Sequence, residues 1–184
     1  ASYRRQRQMC IRDRCNLGKM ALAHNGNLTN AISLRKNLVK QGSIFRTTMD
    51  TEVMIHLIAH GQEPSLPERI IGALKQVYGG YSTIAMDHNT LIGVRDPYGV
   101  RPLSLGQLEG AYILASESCA FDIIGATFVR DIAPGEMVVI RDNEIQTSRP
   151  FAEAPSKFCI FEYVYFSRPD SLIEGKDVYY TRKE

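Results

Sequence analysis

Two short stretches carry residue types that could do acyl chemistry. In LAHNGNLTN, Leu22 to Asn30, Asn25 is followed directly by Gly26. A side-chain carboxamide and a glycine N–H at adjacent positions can aim two donors at one point. That arrangement stabilises the oxyanion formed when a nucleophile adds to a carbonyl. Gly in the second position permits the backbone angles that turn its N–H outward. The same pair is also the usual mark of a tight turn, and alone it does not separate the two uses. In TTMDTEV, Thr47 to Val53, Asp50 stands where a helical pattern begins. It is either a helix cap bonded to its own backbone or a carboxylate that holds the ammonium group of an amino-acid substrate. Spacing leaves both readings open.

The elements that would position these residues follow from periodicity. Lys19 to His24 reads as a strand that turns sharply at Asn25-Gly26 into a helix, with Leu28, Ala31, Ile32, Leu34, Leu38 and Val39 at helical spacing as far as Lys40. A second helix covers Thr51 to His60. Ser65-Leu-Pro-Glu68 has the form of a capping box with Pro in the first turn, and opens a third helix that Gly79-Gly80 ends. After that the period becomes strand-like. Tyr81 to Met86 with Leu91 to Val94 forms one hairpin, and Leu103 to Leu108 with Ala111 to Ala115 another. Glu136 to Ile140 and Glu144 to Thr147 follow, then a linker over residues 148–157 and a last aromatic strand, Phe158 to Phe166. Helices bunch first and strands follow, so the fold class is α+β.

Composition bounds the function. The chain has 184 residues, 44% of them hydrophobic and 23% charged, which fits a globular domain with a real core. A formal net charge of +2 gives no case for nucleic acid, and no apolar run approaches the roughly 18 residues that span a bilayer. Cys10, Cys15, Cys119 and Cys159 show neither disulfide-framework nor zinc spacing and read as free thiols of a reducing compartment. Residues 1–16 hold Arg4, Arg5, Arg7, Arg12 and Arg14 with almost no apolar content, and stand apart as an artefact or a disordered leader. His24 reads as a packed or hydrogen-bonded residue. Arg95, Asp96 and Arg101 read as structural charges of a Pro/Gly turn, and Tyr163, Tyr165 and Phe166 as packing residues.

Five stretches in order carry a family resemblance: LAHNGNLTN, GSIFRTTMDTEV, RDPYGVRPLSLG (Arg95 to Gly106), ASESCAFDIIGATFVRDIAPGE (Ala115 to Glu136) and CIFEYVYFSRPDS (Cys159 to Ser171). Together they resemble the glutamine phosphoribosylpyrophosphate amidotransferases, from about Lys19 to Arg182. The HNG and DTE elements alone are similar to class II glutamine amidotransferases at large, whereas RDPYGVRPL and FEYVYFSRPDS narrow the resemblance to the purine enzyme. It implies the αββα sandwich of the N-terminal-nucleophile hydrolases, followed by a phosphoribosyltransferase domain. It also implies the reaction: a processed N-terminal Cys attacks the glutamine amide, and the ammonia released displaces pyrophosphate from phosphoribosyl pyrophosphate to give 5-phosphoribosylamine. Asn25 and Gly26 would form the oxyanion hole and Asp50 would hold the glutamine α-amino group.

By the same resemblance the intact parent is a cytoplasmic homo-oligomer that binds glutamine and phosphoribosyl pyrophosphate, and neither nucleic acid nor membrane. A 4Fe–4S cluster, with Cys159 as one ligand, and Mg2+ would belong to that parent and not to this chain alone. The sequence departs from the family at both ends. The Cys-Gly start is absent, since Cys10 and Cys15 are not followed by Gly, and the acidic phosphoribosyl-binding loop does not occur. The expected organisation is a non-family leader over residues 1–16, a partial glutamine amidotransferase domain over 17–155 that lacks the N-terminal part of the sandwich, and over 156–184 the start of a segment leading into an absent phosphoribosyltransferase domain. Such a chain is expected to be inactive by itself. The competing readings are another class II glutamine amidotransferase and a non-catalytic scaffold on the same fold.

Overall fold

The switch from helical to alternating periodicity near Gly79 becomes, in the computed structural model, a layer of helices against two stacked sheets. Residues 9–15 and 18–183 are described. The other residues of the expected leader lie outside the description, as do the thiols of Cys10 and Cys15. Part of that leader, Met9–Cys15, is strand β1. It runs antiparallel to β2, Gly18–Leu28, in a register from Met9 opposite His24 to Cys15 opposite Gly18.

Three helices follow: α1 (Ala31–Lys40), α2 (Asp50–His60) and α3 (Leu66–Leu74). The capping box expected at α3 is present, with Ser65 accepting from the Glu68 N–H and Glu68 reaching back to the Ser65 N–H. Next come β3 (Gly79–Met86), β4 (Thr90–Arg95), β5 (Ser104–Leu108), β6 (Ala111–Ala115), α4 (Cys119–Ile124), β7 (Thr127–Asp131), β8 (Met137–Arg141) and β9 (Glu144–Ser148). A π-helical turn at Glu162–Phe166, the small hairpin β10 (Leu172–Ile173) and β11 (Lys176–Asp177), and α5 (Val178–Thr181) complete the order.

The main sheet has the order β1-β2-β3-β4-β8-β9 and the second the order β6-β5-β7. Period-two alternation gives the main sheet two apolar faces. Met20, Leu22, Tyr81, Ala85, Ile92 and Val94 pack with Val53, Met54, Leu57, Ile58, Ile70 and Leu74 of the helices. Leu103, Leu105, Ile132, Val138 and Ile140 form a second core, joined by Ile84, Leu91 and Leu114, between the two sheets. On the far side of β5, Gly106 lies so close to Phe121 of α4 that a Cβ there would sit 2.6 Å from the ring. Helix, sheet, sheet and short helix thus give the αββα layering.

Three expectations are corrected. Asn25-Gly26 is not a corner. The strand runs through it to Leu28, with Asn25 opposite Ser82, Gly26 opposite Tyr81 and Leu28 opposite Gly79. Helix α1 therefore starts at Ala31 and not at Leu28. Glycine explains the continuation: Gly26 has φ 146°, and a Cβ on it would lie 2.2 Å from the Gly80 carbonyl oxygen. Nor is Phe158–Phe166 a strand. Its apolar run is short enough to suit either period, and Glu162 and Tyr163 are buried while Phe161, Val164 and Tyr165 face outward, a helical distribution. Finally, α4 and β7 fill a stretch for which no element was expected. Among the described residues no helix is long and apolar enough to cross a membrane.

Candidate active site

Strand β2 ends beside the start of α2 and the turn that follows β4, and its side chains divide between the two faces. His24, buried, points to the helix layer, with Nδ1 3.3 Å from Thr51 Oγ1 and 3.5 Å from Asp50 Oδ1. The next residue, Asn25, points to the opposite face. There its Oδ1 accepts a 2.9 Å hydrogen bond from Nη2 of Arg101. A guanidinium only donates, so the atom it faces must be the carboxamide oxygen and the Asn25 NH2 must point elsewhere. Asn25 is only partly buried, as is Gly26.

Gly26 adds a second donor beside the first. Its partner Tyr81 spends both backbone groups on Asp96: its oxygen accepts the Asp96 N–H at 2.9 Å, and its N–H donates to Asp96 Oδ2 at 3.3 Å. The Gly26–Tyr81 pair is therefore a non-hydrogen-bonded pair, and the Gly26 N–H is not consumed by Tyr81. Only glycine fits at this approach, for the reason given by the Cβ contact above.

Asp50 reaches the same strand end from α2. Of the two readings left open for it, the helix cap does not form: Met49 occupies the N-cap position, without a side-chain cap bond, and Asp50 is the first helical residue. Its Oδ2 instead accepts the N–H of Leu28 at 3.1 Å, two residues past Gly26. Burial works against its charge, but the bond and charge of His24, the Leu28 N–H and the Thr51 N–H together hold the carboxyl below the usual range. The loop before α2 is tied by Glu52, which accepts the Arg46 N–H at 2.7 Å, the Thr47 N–H at 2.8 Å and the Thr47 hydroxyl at 2.7 Å. The structure thus brings Asn25, Gly26 and Asp50 to one end of one strand.

The RDPYGVR turn holds the other side. Arg95 is buried and donates to the carbonyls of Arg101, Ile132 and Gly99 and to Glu174 Oε1, each at 2.9 Å. Asp96 is fully buried and accepts N–H groups from Tyr81, Tyr98 and Val100. These two residues are structural, as expected. Arg101 is different. Besides Asn25 it pairs with Glu162 Oε1 at 2.9 Å and lies 4.6 Å over the Phe166 ring. Its contact with Asn25 spans 76 residues of sequence, and no local signal could have shown it.

The chain matches the model of the glutamine amidotransferase domain over residues 4–122. It belongs to that family. Its amino-acid sequence is 47% identical over 171 residues to the amidophosphoribosyltransferase of Rhizobium etli, covering 90% of this chain and 34% of the relative. It is 46% identical over 168 residues to that of Bacillus subtilis, covering 91% and 35%. The glutamine phosphoribosylpyrophosphate amidotransferase structure from B. subtilis, complexed with ADP and GMP, superposes with a TM-score of 0.90 at 44% identity over 96% of this chain and 39% of that one. A class II glutamine aminotransferase domain protein from Silicibacter pomeroyi shares the fold at 14% identity and a TM-score of 0.54. This amidotransferase-family chain spans about a third of the length of the curated relatives it matches.

Two thiols lie among the described residues, those of Cys119 and Cys159. Burial pushes the Cys119 thiol up, away from the thiolate form, with Glu117 and Asp170 adding to the shift and the Ser171 bond and Arg168 opposing it. Cys159 is half-buried, beside the π-helical turn, with its N–H on the Val100 carbonyl at 3.1 Å. Among the described residues no three of His, Cys, Asp and Glu group to hold a metal. A 4Fe–4S cluster takes four thiolates as a rule, so the described residues do not fit one by themselves.

Proposed function

We propose that this chain is the part of an amidophosphoribosyltransferase that supplies the oxyanion hole and the substrate-ammonium anchor of its glutaminase site. One observation carries the reading. Asp50, ionised and partly exposed, is bonded to the strand end that presents Asn25 and Gly26 side by side. An amino-acid ammonium on Asp50 would lay a glutamine side chain along that strand end. As a thiolate adds to the amide carbon, negative charge moves onto the carbonyl oxygen, and the Asn25 NH2 and Gly26 N–H are the donors for it. Ammonia leaves, and water hydrolyses the thioester to glutamate.

The nucleophile in this reading is a processed N-terminal cysteine, a role that suits neither Cys119 nor Cys159. The ammonia is used on phosphoribosyl pyrophosphate in a second domain, for which residues 156–184 are the lead-in. The reading also includes a cytoplasmic, homo-oligomeric parent, with Mg2+ at the phosphoribosyl site and Cys159 contributing to a 4Fe–4S cluster where the rest of the parent supplies the other thiolates.

The test is Asn25→Ala in the intact enzyme. Losing one oxyanion donor should lower kcat for glutamine hydrolysis by about 100- to 1,000-fold with little change in KM. Ammonia added directly should still yield phosphoribosylamine. Glutamine hydrolysis at an undiminished kcat would end the oxyanion-hole assignment.

A further inference from the structure

We infer that Arg101, held by Glu162, is a positioning residue for the oxyanion hole. It fixes which end of the Asn25 carboxamide faces the reacting carbonyl. The inference rests on the oxyanion-hole reading of Asn25 and adds to it the group that makes that donor usable. A free asparagine amide can rotate by half a turn and present an acceptor where a donor is needed, which would repel a developing anion. Arg101 prevents this, because its Nη2 lies 2.9 Å from Asn25 Oδ1 and can only donate.

The guanidinium is itself held on two further sides, and the backbone of Arg101 is anchored as well. Nη1 is 2.9 Å from Glu162 Oε1, the Phe166 ring lies under its plane at 4.6 Å, and the backbone oxygen of Arg101 accepts from Arg95 at 2.9 Å. Glu162 has its second oxygen tied by the Ser167 hydroxyl at 2.7 Å. Both Arg101 and Glu162 are buried. A buried ion pair is a weak device for stability, because desolvation offsets its attraction. Its better use here is orientation, since a planar fork fixed on one side presents a fixed donor on the other.

A double-mutant cycle in the intact enzyme tests this. Arg101→Met should lower kcat for glutamine hydrolysis by about 10- to 100-fold and leave KM for glutamine within about twofold, because the oriented donor acts in the transition state. In an Asn25→Ala background the same substitution should cost less than about threefold, because no amide remains to orient. Glu162→Gln keeps the size and a polar contact, so it carries the same test if Arg101→Met folds poorly. It should cost about 3- to 10-fold in the wild-type background and nothing measurable beside Asn25→Ala. A purely structural ion pair would cost the same factor in both backgrounds, and that additivity would overturn the inference. An equal rise in KM would also overturn it. If Asn25→Ala alone reduces kcat while both Arg101→Met and Glu162→Gln are silent, the positioning role falls and the oxyanion hole stands. If Asn25→Ala is itself silent, both fall.

Discussion

Asp50 and Asp96 both accept backbone N–H groups near the end of β2, Asp50 that of Leu28 on β2 itself and Asp96 those of Tyr81 on the neighbouring β3 and of the turn after β4. Asp96 is fully buried, and its two oxygens are taken by the N–H groups of Tyr81, Tyr98 and Val100. Asp50 gives one oxygen to the Leu28 N–H, His24 approaches the other at 3.5 Å, and 22% of the side chain is exposed. Their titration differs accordingly. Burial pushes the Asp96 carboxyl up despite its N–H bonds. Asp50 is held below the usual range by His24 and by N–H groups that outweigh its burial, helped by its place in the first turn of α2. A carboxylate with its acceptor sites filled by backbone organises a loop. A charged one that still reaches solvent can take a ligand cation.

The strongest way to break this contrast is to remove each carboxylate. Asp96→Ala should strand the buried N–H of Tyr81 and the part-buried N–H groups of Tyr98 and Val100 and cost roughly 2–4 kcal/mol of unfolding free energy, read from denaturant melts of the intact enzyme. A loss below about 1 kcal/mol would mean that the turn does not depend on Asp96. Asp50→Asn should do the reverse. Asparagine can still accept from Leu28, so stability should change by less than about 1 kcal/mol, while kcat/KM for glutamine falls about 10- to 100-fold with the loss of a charge-assisted contact. Intact glutamine kinetics in Asp50→Asn would move Asp50 into the same structural class as Asp96.

What the sequence could show follows the same division between local and distant contacts. The Ser65–Glu68 capping box, the β3–β4 and β5–β6 hairpins and the resemblance of the HNG and DTE segments are local patterns, and each corresponds to what the chain forms. The continuation of β2 through Asn25-Gly26 was hidden because the cause lies on another strand, where Gly79 and Gly80 allow the close approach. The turn at Glu162–Phe166 was hidden because a short aromatic run fits either period, and the face that decides it is set by Arg101 and by the Tyr163 hydroxyl on the Ile173 carbonyl. Arg101 read as one more charge in a Pro/Gly turn. Its identity as a partner of Asn25 exists only in three dimensions.

The smallest effect sharpens the contrast most, because the two aspartates should give pH dependences of opposite sign. For Asp50 the folded pKa lies below the unfolded value of about 3.9. Its contribution is present above that value and is lost as pH falls through the folded one. For Asp96 the folded pKa lies above the unfolded value. Its contribution is full below about pH 3.9 and is lost as pH rises through the folded one. Measured as differences, so that the other carboxylates cancel, wild type minus Asp50→Asn should shrink on acidification below about pH 3.9, and wild type minus Asp96→Asn should grow as pH falls from 7 toward it. Asp50 is partly solvated, so its slope should stay well under the ~1.4 kcal/mol per pH unit of one whole proton. Unfolding free energies of the three proteins between pH 3 and 6 decide the matter. Slopes of the same sign would mean that the N–H bonds of Asp96 outweigh its burial. The two residues would then differ only in what solvent, and a substrate, can reach.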